Sequence, residues 1–74
     1  MSFDYSKLRG RIREKFNTEG VFAETLNISK QTLSAKLNNK VLFTQDEIKA
    51  ACSILDIQTA DIPAYFFTEK VQQP

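Results

Sequence analysis

A chain of 74 residues is one domain, close to the smallest size at which a single core holds without staples. It has one cysteine, no histidine and no tryptophan, which excludes an internal disulfide, a Cys/His zinc site and any His-based catalytic pair. Net charge is only +1, but it is unevenly spread: residues 1–43 hold eight basic against four acidic side chains (+4), and residues 44–74 two against five (−3). A field of that shape turns one half of the molecule toward polyanions. No apolar run approaches the roughly 20 residues of a membrane span, and the amino terminus lacks a signal-like apolar block. A cytoplasmic protein without membrane contact, metal or other cofactor is expected.

Asp4 reads as the N-cap of a first helix from about Tyr5 to Phe16, with Leu8, Ile12 and Phe16 as its buried stripe. Its basic residues fall at every second position, so they cannot share one face; Arg9 and Arg13 can line one edge. Gly10 sits in the middle of this helix, where it costs roughly 1 kcal/mol relative to alanine, and a close approach by another element would explain it. Thr18 caps a second helix carrying Phe22, Ala23 and Leu26. Asn27 marks a corner that needs a left-handed residue. Ser29 then caps a third helix, Lys30 to Asn38, seated by Leu33 and Leu37. Two short helices meeting across such a corner make a helix-turn-helix.

Asn38-Asn39-Lys40 is a polar exit turn. In the extended link that follows, Val41 and Phe43 are expected to face inward and Leu42 outward. Thr44 and Glu47 have the spacing of a capping box, so Asp46 and Glu47 are helix-end acids and not a catalytic pair. Ile48, Ala51, Cys52 and Leu55 give a fourth helix ending near Asp56, with the lone thiol as core. Thr59 is placed to cap a short fifth helix, with Pro63 in its first turn. Tyr65, Phe66 and Phe67 are too many consecutive rings for one small core, and they are expected to form a protein interface. The domain is taken as residues 1–71, with 72–74 a disordered tail.

The segment from Thr18 to Lys40 resembles the helix-turn-helix of small phage repressors of the Cro and CI type. Members of that lambda-repressor-like group place a small residue, a turn glycine and an apolar residue where this chain has Ala23, Asn27 and Leu33. They commonly read Asn-Gly-Lys where it has Asn38-Asn39-Lys40. The resemblance implies an all-α, compact five-helix domain that binds operator DNA through its third helix in the major groove. It places Lys30, Gln31, Thr32, Ser34 and Ala35 at base edges, and Lys36, Asn38, Lys40, Arg9 and Arg13 at phosphates. Double-stranded DNA would then be the partner, read by a homodimer across half-sites about 34–36 Å apart.

Two departures open a second reading. Glu19 stands where the group commonly has a phosphate-binding glutamine, and Lys36 stands where it has an apolar residue. A carboxylate at position 19 repels the DNA backbone. The alternative is a modulator or antirepressor that keeps the fold to bind another phage repressor protein, with little DNA affinity of its own. Nothing in the residues points to an enzyme.

Overall fold

The computed structural model describes residues 2–71. Its helices are α1 (Ser6–Phe16), α2 (Glu19–Thr25), α3 (Lys30–Leu37), α4 (Gln45–Leu55) and α5 (Ile62–Phe66), the last entered through a 3-10 turn at Thr59–Asp61. No strand forms among the described residues; Phe3 and Glu69 make one isolated antiparallel bridge. The radius of gyration, 11.8 Å, is about what a compact chain of this length gives. The fold is the expected all-α arrangement. The expected tail, 72–74, lies outside the described residues.

The boundaries of α2, α3 and α4 have local chemical causes. Thr18, Ser29 and Thr44 accept hydrogen bonds through their hydroxyls from the amides of Val21, Thr32 and Glu47, closing the first turns of α2, α3 and α4. At α4 the Thr44 amide in turn donates to the Glu47 carboxylate at 2.8 Å, completing the capping box. The first four helices end where a short polar side chain tolerates positive φ: Asn17, Asn27, Asn39 and Asp56 all do so. Asp4 is not the N-cap expected of it: α1 starts one residue later, with Tyr5 at the cap position, and Asp4 just before it accepts from the Ser6 amide at 2.8 Å. Tyr5 therefore stays outside α1 and drops its ring into the core. Thr59 makes no cap; it lies inside the 3-10 turn, while Pro63 occupies the first turn of α5 as anticipated.

The core is built by Leu8 and Ile12 of α1, Phe22 of α2, Leu33 of α3, Leu55 of α4 and Phe66 of α5. α1 is the spine, packing against α2, α4 and α5, and α2 carries α3. Basic residues of α1 brace this arrangement. The Arg11 Nε donates to the last α4 carbonyl, Leu55, at 2.9 Å, and Lys15 pairs with Asp56 at the α4 C-cap. Cations are favourable at that end of a helix.

Several side chains fall elsewhere than the sequence pattern suggests. Phe66 is 2% exposed and belongs to the core, so it cannot serve as an interface residue. The Phe43 ring is wedged edge-on between Tyr5 and Phe66, with centroids 5.4 Å from each. Val41 is half exposed instead of turning inward. A Cβ added at Gly10 would meet nothing within 4 Å, so no close approach accounts for that glycine.

Candidate functional site

Eight residues of α3 give just over two turns, with Leu33 and Leu37 anchored inward. The opposite flank is thereby forced into solvent. Lys30, Gln31, Ser34 and Ala35 line a shallow groove of about 470 Å³, closed at its far end by Asn38 and Lys40 beyond the helix. Thr32 is exposed at the helix start, where its hydroxyl oxygen accepts from Ser29 at 2.8 Å. Ala35 is half-buried, the groove's one small apolar floor residue. Asn38 bends back over the helix and donates through Nδ2 to the Ser34 carbonyl at 2.9 Å. Six of the residues read from the sequence as a recognition surface therefore meet along one groove.

Lys36 does not join them. It is 4% exposed, and its ammonium lies 2.8 Å from Glu47 Oε1 and donates to the Leu42 carbonyl at 3.0 Å. The expectation that Lys36 meets a phosphate is corrected: its charge is spent inside the protein. The cause is helical phase, because position 36 follows Leu33 by three residues and shares its inward face. Where the Cro and CI type proteins that the segment resembles have an apolar residue, a long stem carries a charged tip to the capping carboxylate. Burial of Glu47 works to raise its pKa, but the bond from Lys36, the Thr44 amide and the ammonium's charge outweigh it and hold the carboxyl below its ordinary range.

Arg9, expected at a phosphate, is drawn into the protein as well. Its guanidinium pairs with Glu19 at 3.0 Å and reaches the Leu37 carbonyl at 3.4 Å. A hollow of about 460 Å³ opens beside this pair, lined by Arg13, Asn17, Thr18, Gly20 and Lys30 as well as Arg9 and Glu19. Among the described residues, Arg13, Lys30 and Lys40 form no ion pair, whereas Arg9, Arg11, Lys15 and Lys36 all do. Lys7 sits 4.8 Å over the Tyr65 ring. The basic half of the chain is thus largely neutralised from within, leaving three uncommitted cations near α3.

The aromatic end divides three ways. Tyr65 is half-buried beneath Lys7, Phe66 is core, and Phe67 is 50% exposed with its ring edge-on to Phe3 at 5.8 Å. One arrangement had no reading in the sequence. Asn39 grips the Phe3 backbone with both ends of its amide, accepting from the Phe3 N–H at 2.8 Å and donating to the Phe3 carbonyl at 2.9 Å. This pins the amino-terminal segment beside the α3 exit turn. Its only sequence signal was an asparagine standing where the Cro and CI type proteins that the segment resembles usually have glycine.

Among the described residues no helix is long and apolar enough to cross a membrane. The chain is similar, over 97% of its own length and 97% of the other's, to the modulator of repression (MOR) of the temperate bacteriophage TP901-1 from Lactococcus lactis. The two share 47% identity, and the solution structure of that protein superposes with a TM-score of 0.81. No curated protein matches the chain. A family profile covers residues 1–69, and by that match the chain belongs to DUF739, a family described as protein of unknown function.

Proposed function

We propose that this chain is a cytoplasmic, phage-type modulator of repression that works by binding a repressor protein. The observation that carries this reading is the 47% identity to a phage modulator of repression along nearly the whole of both chains. The charge distribution supports it. Phosphate binding draws on free cations, and here Glu19 occupies the hollow beside α3 and ties up Arg9. A protein partner needs fewer uncommitted charges than a DNA backbone does. The exposed α3 flank, Lys30, Gln31, Thr32 and Ser34 with Lys40, then serves as a contact surface for that partner. Such a role requires no catalytic group and no cofactor.

The test is to titrate the purified chain into the repressor encoded beside its gene. Complex formation is followed by light scattering, and the repressor's operator affinity is followed in parallel. A stable complex with altered operator binding is expected. No complex, together with sharp operator preference by this chain alone, would reject the proposal.

A second reading, direct operator binding, is favoured by one observation: Gln31, Ser34 and Ala35 line a single groove flanked by Lys30 and Lys40. Under it, Gln31→Ala costs about 1–3 kcal/mol at particular base pairs. Lys40→Ala would weaken all sequences alike, and a homodimer would span two half-sites.

A further inference from the structure

A second surface lies apart from the α3 groove. Two apolar hollows, of about 280 and 420 Å³, meet along α4 and share Gln45, Ile48 and Phe67. The floor consists of Gln45, Ile48, Lys49 and Cys52, spaced i, i+3, i+4 and i+7. That spacing is one continuous helical ridge, about 10 Å long at 1.5 Å per residue. The walls are Leu42 and Phe67, which are 68% and 50% exposed. Scattered apolar side chains on a surface need no explanation, but these are contiguous and frame a concave strip.

We infer that this strip is a docking groove for an amphipathic helix of the repressor, one that carries apolar residues three and four apart and a carboxylate placed to meet Lys49. The inference rests on the modulator reading. Three features select the occupant. A bare ridge of i, i+3, i+4 and i+7 side chains is the surface against which another helix seats its own ridges. Leu42 and Phe67 add exposed apolar surface beside the ridge, which suits the apolar face of a helix. Lys49 is the one charged residue lining either hollow, and it forms no ion pair among the described residues, so the complement of this surface is apolar with one negative charge.

The experiment uses the full chain, isotope-labelled for NMR and titrated with the intact repressor, beside Lys49→Glu and the double variant Leu42→Ser/Phe67→Ser. Both wall residues are solvent-facing, and each variant's amide spectrum first verifies that it is folded. Amide shifts at residues 42–52, 62 and 67 are expected in addition to those along the α3 flank, and each variant should weaken the complex about tenfold or more. Shifts confined to residues 30–40, with both variants binding like the native chain, would overturn the groove while leaving the modulator reading intact. Absence of any complex would remove both. Groove shifts that grow with the chain's own concentration, accompanied by a dimer mass and no repressor, would assign the strip to a second copy and overturn the inference too.

Discussion

At Gly10 a side chain is missing where nothing forbids one. The position lies inside α1, is exposed, and has open space around the site of a Cβ. Alanine there removes backbone freedom from the unfolded chain without creating a clash. Gly10→Ala should therefore stabilise the protein by roughly 0.5–1 kcal/mol, read as a higher urea midpoint with an unchanged slope. Asn39 presents the opposite case. Its backbone sits at φ 64, and its amide makes two hydrogen bonds to Phe3. Asn39→Gly keeps the turn and loses the bonds, at about 1–2 kcal/mol; Asn39→Ala loses the bonds and adds left-handed strain, about 1 kcal/mol more. Equal unfolding free energies for the two variants would contradict that division. Both residues show the limit of a pattern read along the chain. Asn27 was legible because its corner is local, but a clamp onto a residue 36 positions away leaves no trace in spacing.

Among the helices, the junction of α3 with α4 is the most chemically specified. Thr44 and Glu47 close the α4 cap, and Lys36 reaches across from α3 to the same carboxylate oxygen. One acid thus serves two elements. Its folded-state pKa is depressed below the ordinary 4.5, so the stability it contributes is complete above that pH. The contribution is lost as pH falls through the lower folded value. Glu47→Gln should flatten the acid limb of the stability curve below about pH 4.5 while lowering the neutral plateau, and parallel acid-unfolding curves would contradict this assignment. The capping box itself, the three hydroxyl caps and the apolar stripes of α1 and α4 were all readable as short-range rules. The ion pair that takes up the Lys36 charge was not, because its partner belongs to the next helix. The same holds for Phe66: three adjacent rings announce crowding, and only the packing of α5 on α1 decides which one goes in.

Across the whole molecule, the charge imbalance visible in composition survives folding only in part. Four of the eight basic residues in the first half are consumed by carboxylates, two of which, Asp56 and Glu47, come from the second half. The asymmetry predicted from counting charges is therefore weaker at the surface than in the sequence. Glu19→Gln tests this directly by releasing Arg9 beside Arg13 and Lys30. Non-specific affinity for duplex DNA should rise, and the salt dependence should steepen by about one unit for the phosphate gained. An unchanged slope would mean that Arg9 stays bound to the Leu37 and Asn38 oxygens. The outward flank of α3, by contrast, was legible for Lys30, Gln31, Ser34 and Ala35, since a helix anchored by Leu33 and Leu37 has that flank fixed by geometry, whereas Lys36 falls on the inner side.

Cys52 is the chain's single sulfur nucleophile, and it stands half-covered on the α4 ridge, where burial raises its thiol pKa. Reaction with a small disulfide reagent near neutral pH should accordingly be slower than for a free thiol. Anything seated along that ridge should slow it further. The protein thus carries a built-in chemical clock for occupancy, legible in a spectrophotometer without a label or an engineered residue.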